Sequence, residues 1–383
     1  MHWLVSKFLA EEYRKKFLTF YSSNNDFLAY ALFTWVIDNL KFKHRRKITI
    51  TEQSGNDLTD YQVLIELNSS NFDFSHSDGN DIRFYNGEVF LPYWVEKWDG
   101  VNQEAKIWVK VPSISANGTI SFYMYYGNPV LLSASSPELT FVRVIDGCVL
   151  ALPMDEGSGD TVYDKSGNDN DGTIYGGATW TDGKFGKALD FNGTDSYVRV
   201  PNDGSLDYDN NSEITVVAWA KIEGNTDDHQ IILYHMTSYK GYWFYLKYDE
   251  KQWRFLLTDL DVYLFSSFYD PDPYNKWIHL VGTYANNTTE LYVNGEKKDE
   301  DTKSLSDFSV TSDVFVGSKK GDENFFNGII DEVLIFYRVL SEEEIQDLYN
   351  YYGYNTENYP GKTLVRKRVN PEPSVSVGAE ETP

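Results

Sequence analysis

The chain has one cysteine, Cys148, in 383 residues. No intrachain disulfide and no multi-thiolate zinc site can form from it. Basic charge is also scarce: 34 Lys and Arg face 58 Asp and Glu, a formal net charge of −24. Such a surface repels phosphates, which excludes nucleic-acid binding by a general basic face. It suits solubility, cation binding or a neutral polar ligand. Long apolar runs are lacking too. Phe27 to Ile37 is an 11-residue apolar run broken by Thr34, against the ~20 residues of a simple bilayer span. It has the length of a signal-peptide apolar region, but the segment before it is long and mixed, and no small-x-small site follows. Residues 1–44 are therefore expected to hold a short helical segment, either interfacial, with membrane contact, or packed on the protein body.

Catalytic signatures are missing as well. The six histidines, His2, His44, His76, His229, His235 and His279, are scattered, without a His-Glu-x-x-His pair. There is no Gly-x-Ser-x-Gly elbow and no phosphate loop. His279, inside Trp277-Ile278-His279-Leu280, reads as a strand residue with its hydrogen bonds satisfied.

What is present is β-strand periodicity. Lys47-Ile48-Thr49-Ile50-Thr51 alternates, and Tyr61 to Leu67, Lys106 to Val111 and Thr119 to Tyr126 read as further strands. Asn86-Gly87 and Asn294-Gly295 are two-residue hairpin signals, because both positions tolerate positive φ. Asn117-Gly118 marks a turn. Arg45 to Ile50, Leu58 to Val63, Asp81-Ile82-Arg83-Phe84, Leu91-Pro92-Tyr93-Trp94-Val95-Glu96, Ile107 to Pro112 and Tyr125-Tyr126-Gly127-Asn128-Pro129 follow in order. This order resembles an uncharacterised β domain of archaeal and bacterial surface proteins and archaeal virus proteins. The domain is expected at 45–142, as a small β-sandwich, with 133–141 as linker.

A second ordered series follows: Asp155-Glu156-Gly157-Ser158-Gly159, Ala188-Leu189-Asp190-Phe191-Asn192-Gly193, Leu291-Tyr292-Val293-Asn294-Gly295 and Phe326-Asn327-Gly328-Ile329-Ile330-Asp331-Glu332-Val333. Ser341-Glu342-Glu343-Glu344 then forms a capping box before a helix whose apolar face carries Ile345, Leu348, Tyr349 and Tyr352. The series resembles the laminin-G-like, concanavalin A-like jelly roll, and places it at 148–352. Residues 353–383 are expected as an extended tail with a short strand at Val375-Ser376-Val377. The fold class is all-β: a small sandwich, then a jelly roll.

Sandwiches of this resemblance often hold a structural calcium, and the matching positions are Asp190, Asn192, Asp195 and Asp331. Calcium takes six to eight oxygen ligands; the alternative is that these groups cap turns. The loop from Asp164 to Asp171 lacks the EF-hand spacing and reads as a turn-rich loop.

Aromatic residues are concentrated between Tyr234 and Tyr274, where 14 of 41 are aromatic against 16% for the chain. Sugars stack apolar C–H faces on such rings while their hydroxyls bond to Asp, Asn and Gln. Along Tyr242-Trp243-Phe244-Tyr245 side chains alternate faces, so one pair fills the core and the other faces outward. Trp243, Tyr245, Tyr263, Tyr269 and Tyr274, with Asp259, Asp261 and Asp270, are the expected ligand-binding residues; sandwich core is the other account of the rings. Hydrolysis would need two carboxyl groups facing each other across the sugar, whereas Asp331 and Glu332 are adjacent. The expectation is non-catalytic recognition of carbohydrate or glycoprotein, outside the cell at a cell or virion surface. The alternative is a structural envelope or virion protein that self-associates through the sandwich face.

Overall fold

The computed structural model describes residues 41–224, 229–306 and 308–383. The helical segment expected at 1–44 falls outside them as far as residue 40. No helix of the described residues is long and apolar enough to cross a membrane. The described chain is built almost wholly of antiparallel strands and divides into two units, 143–366 and a discontinuous one made of 41–142 with 367–383.

In the discontinuous unit, a five-stranded sheet and a three-stranded sheet supply one core. The alternation read at Lys47 to Thr51 is real: Ile48 and Ile50 are fully buried while Lys47 is exposed. Asn86-Gly87 opens a four-residue loop, not a two-residue one, since Tyr85 pairs with Phe90 and Phe84 with Leu91. The Asn86 side-chain oxygen accepts from the Glu88 and Val89 amides, at 3.0 and 2.9 Å, and so closes the longer loop. Asn117-Gly118 turns the chain from one sheet into the other, because Glu104–Ile114 and Thr119–Tyr126 lie in different sheets.

The structure departs from the extended tail expected at 353–383. Ser374–Glu381 is an edge strand paired with His44–Thr51, in a register that sets Val377 opposite Ile48 and Val375 opposite Ile50. Tyr352–Asn355 and Lys362–Arg366 form a small sheet with Arg143–Asp146.

The 143–366 unit is a two-sheet sandwich. One sheet runs in the order Thr161–Val162, Gly172–Tyr175, Tyr197–Val200, Val314–Val316, Gln230–Thr237, Lys240–Lys247, Gln252–Asp259, Tyr263–Tyr269. The other runs Thr179–Asp182, Lys187–Asn192, Asn327–Phe336, Ile214–Ile222, Ile278–Ala285, Thr288–Val293, Glu296–Thr302, and Cys148–Leu152 pairs with Asn327–Phe336. Both contribute to one large core that includes Phe244, Trp253, Phe255, Val216, Leu280 and Ile330. Asn294 and Gly295, at φ 52° and 79°, make the expected two-residue hairpin between Val293 and Glu296. The capping box is formed, with the Glu344 amide donating to Ser341 Oγ and the Ser341 amide to Glu344 Oε2. The helix ends at Asn350, so Tyr352 lies on the following strand rather than on the helix face.

Gly282 sits mid-strand facing the opposite sheet, where an added Cβ would lie 2.2 Å from the Phe255 ring. Gly282→Ala is therefore expected to destabilise the fold by about 1–3 kcal/mol, the usual cost of overpacking. Urea denaturation of the variant against the parent measures it.

Candidate functional site

Strand Lys240–Lys247 divides its rings between two environments. Tyr242 and Phe244 enter the main core, while Trp243 and Tyr245 lie on the outer face and stack on each other at 4.6 Å. The sheet register continues this face sideways. Tyr234 stands opposite Trp243 and Phe315, Leu256 opposite Trp243, and Phe265 opposite Leu256. On the edge strand Tyr263–Tyr269, alternation gives the same face Tyr263, Phe265, Ser267 and Tyr269. Tyr263 and Tyr269 are 53% and 58% exposed.

Polar groups interleave with the rings. The Arg254 guanidinium lies 4.7 Å over the Phe265 ring and donates to Gln252 Oε1 at 3.1 Å. Glu250 pairs with Arg254 and Lys247. Lys303 Nζ donates to the Tyr263 carbonyl at 3.0 Å. Tyr234 and Tyr245 are nearly covered on this face, at 1% and 3% exposure, and Trp243, Phe265 and Phe315 are part-buried, so its open rings are those of Tyr263 and Tyr269.

Of the expected ligand-binding residues, the structure places Trp243, Tyr245, Tyr263 and Tyr269 on this face. Tyr274 is elsewhere, packed against the main core and bridging to Ile222. Asp259 is buried and holds a turn, accepting from the Asp261 and Val262 amides at 3.2 and 2.9 Å, and from Ser306. Asp270 is buried and accepts from the Asp272 amide and Lys276 Nζ at 3.1 and 2.9 Å. Asp261 is exposed on the turn that Asp259 organises. Tyr234, Phe265, Phe315 and Arg254 were missed by the sequence reading. The alternation applied to Tyr242–Tyr245, extended along 230–237 and 263–269, would have found Tyr234 and Phe265.

At the positions expected for calcium, Asn192 and Asp331 hold turns. The Asn192 side-chain oxygen is engaged by the Thr194, Asp195 and Ser196 amides and by Ser196 Oγ, and its Nδ2 donates to Asp195 Oδ1 at 2.8 Å. Asp331 is fully buried, and its Oδ2 accepts from the Phe185 amide at 3.0 Å. Burial drives its pKa well above the usual carboxylate range, against the pull of the Phe185 amide. Burial also raises the pKa of Asp190. Among the described residues Asp190, Asp195 and Asp331 do not form a group with ligand atoms within 4.8 Å of one another. Asp331 acts as an anchor for the turn at 183–186. The Asp164 loop is likewise organised from within: Asp164 accepts from the Ala151, Ser166 and Asn170 amides.

Two histidines are buried in this unit. His235 is satisfied, Nε2 donating to the Ser312 carbonyl at 2.9 Å and Nδ1 accepting from the Tyr242 hydroxyl at 3.0 Å. His279 differs from the expectation: among the described residues neither ring nitrogen has a hydrogen-bond partner. Its ring lies 4.9 Å from Trp219 and 5.9 Å from Tyr349, an aromatic packing role. Burial pushes the pKa of His279 down to about 3 and that of His235 to about 4.

Calcium added to chelator-treated protein is expected to leave the melting temperature unmoved through these positions. Asp331→Ala should cost ~1–3 kcal/mol for the lost turn anchor, equally with and without calcium in a thermal melt. His279, depressed from an ordinary value near 6.5, contributes stability that is present above that pH and lost as pH falls toward about 3. In urea titrations across this window, His279→Phe should remove up to ~5 kcal/mol of the acid-dependent loss.

Comparison with known proteins bears on both units. Residues 192–346 match Laminin_G_3, the concanavalin A-like lectin/glucanases superfamily, and residues 78–150 match Domain of unknown function (DUF2341). No curated protein matches the chain. Among solved structures, the receptor binding domain of botulinum neurotoxin C/D mosaic serotype is 18% identical over 53% of this chain and 51% of its own, with a TM-score of 0.45. The binding domain of Paraclostridial Mosquitocidal Protein 1 is 19% identical over 56% and 55%, with a TM-score of 0.45. Domain 4 of AbnA, a GH43 extracellular arabinanase from Geobacillus stearothermophilus in complex with arabinotriose, is 24% identical over 53% and 98%, with a TM-score of 0.40. The chain thus spans about half the length of the two toxin domains. Together the motifs, the two-sheet sandwich and the two family matches identify a laminin-G-like domain of the concanavalin A-like lectin/glucanases superfamily at 192–346, preceded by a domain of unknown function at 78–150.

Proposed function

We propose that the laminin-G-like domain recognises carbohydrate without cleaving it, outside the cell, on a cell or virion surface. The observation that carries this reading is the outer face on which exposed Tyr263 and Tyr269 share a sheet with the stacked Trp243–Tyr245 pair. Arg254, Gln252 and Glu250 lie between these rings and supply hydrogen-bonding partners for hydroxyls. Tyr263 and Tyr269 are six residues apart on one strand, roughly 20 Å at the usual rise. That span suits several sugar units of a chain better than one monosaccharide. Binding without hydrolysis is supported by the place of Asp331, which is buried and accepts from the Phe185 amide.

A glycan array followed by calorimetry tests the reading. Selective binding is expected, stronger for oligosaccharides than for their monosaccharides. Tyr269→Ala and Tyr263→Ala should each weaken it about tenfold, or ~1.4 kcal/mol, with the melting temperature unchanged because both rings are exposed. Absence of glycan binding, with defined oligomers that Tyr269→Ala disperses, would instead make the face a subunit contact.

A further inference from the structure

Two of the scattered histidines meet. In the discontinuous unit, His44 opens strand His44–Thr51, His76 ends the short 3-10 helix Phe74–His76, and Glu380 lies near the end of Ser374–Glu381. His44 Nδ1 is 3.0 Å from Glu380 Oε1, and His76 Nδ1 is 3.0 Å from Glu380 Oε2. The ligand atoms of all three lie within 4.8 Å of one another, and among the described residues no other group of His, Cys, Asp or Glu does this.

Two imidazoles and a carboxylate are a donor set for zinc and its first-row neighbours. Tetrahedral bonds of this kind place neighbouring ligand atoms about 3.3 Å apart, and each imidazole nitrogen already stands 3.0 Å from its own oxygen of Glu380. Supporting groups surround the trio. Asp73 Oδ2 stands 3.7 Å from His76 Nε2, the ring nitrogen turned away from the carboxylate of Glu380. The Tyr126 hydroxyl donates to Glu380 Oε2 at 2.7 Å and accepts from Arg46 Nε at 3.1 Å. Such outer partners orient metal ligands and tune their basicity.

The imidazoles are stacked, with centroids 4.1 Å apart and planes 5° from parallel. Their lone pairs therefore run side by side, and one ring must turn about its Cβ–Cγ bond, a broad torsion, to share an ion. Side-chain exposures of 23%, 34% and 26% for His44, His76 and Glu380 leave room for that turn and for a water ligand.

We propose that His44, His76 and Glu380 bind one first-row divalent transition-metal ion of the zinc class, and that the ion fastens the C-terminal strand Ser374–Glu381 to His44–Thr51. The site is built from residues 304 or more positions apart in part, so it forms only when that strand is docked.

The test uses the full chain, stripped of metal and titrated with zinc by calorimetry and with cobalt by visible absorption. One ion per chain, a tetrahedral cobalt band and a raised melting temperature are expected. His76→Ala and Glu380→Gln should each weaken binding at least tenfold and abolish the band, with the circular dichroism of the metal-free protein unchanged. His76 ends a surface turn, so its loss leaves both strands intact. Failure of the parent to bind zinc, or binding that both variants retain, overturns the site. Binding without a rise in melting temperature overturns the fastening role. The outcome is independent of glycan binding by the other unit.

Discussion

The close approach of Phe255 to Gly282 sets the geometry of the 143–366 unit. Packed sheets stand about 10 Å apart, and a phenyl ring fills that gap here only because the facing strand has no side chain at 282. With Phe255 fixed inward, its neighbours Arg254 and Leu256 must point outward, since strand side chains alternate. Register then carries the same division to Trp243, Tyr245, Phe265 and Tyr269. The composition of the outer face is thus a consequence of how the core closes.

The excess of acidic residues has a similar structural explanation at several positions. Many carboxylates serve backbone amides, as Asp81 does for Gly127 and Asn128, both at 2.6 Å. Burial works to raise the pKa of Glu52, but the Ser54 hydroxyl and the amides of Asn117, Ser54 and Gly55 outweigh it and hold the value at about 2. Asp259, Asp270 and Asp331 likewise accept from backbone amides. A carboxylate that closes a turn has fewer lone pairs left to offer a cation.

Local signals were legible in the sequence and distant pairings were not. The strand alternation, the Asn294-Gly295 turn, the Ser341 capping box and the outward placement of Trp243 and Tyr245 all depend on residues within a few positions of one another. The length of the Asn86 loop could not be read in the same way, because it depends on which residues of Arg83–Tyr85 and Phe90–Leu91 pair. Tyr274 was grouped with the exposed rings by its nearness in sequence, yet the chain leaves the sheet after Tyr269 and returns that ring to the core. His279 looked like an ordinary strand residue. Only the packing of Trp219 and Tyr349 around it reveals a neutral imidazole used as an aromatic plate.

The edge strand Ser374–Glu381 pairs with His44–Thr51 across more than three hundred residues. Closing a loop of that length costs conformational entropy, although the cost grows only slowly with length. The interposed unit reduces the effective distance along the chain. Its first strand, Arg143–Asp146, pairs antiparallel with its last, Lys362–Arg366, so that Arg143 stands opposite Val365. Once this unit folds, residues 142 and 367 leave it side by side, as insertion of one domain into another requires. The remaining search for strand 374–381 then spans only the few residues after 366. Two valines, Val375 and Val377, dock against the first unit's core, and the backbone ladder to His44–Thr51 supplies the rest of the strand's hold, with His44, His76, Tyr126 and Glu380 closing its far end.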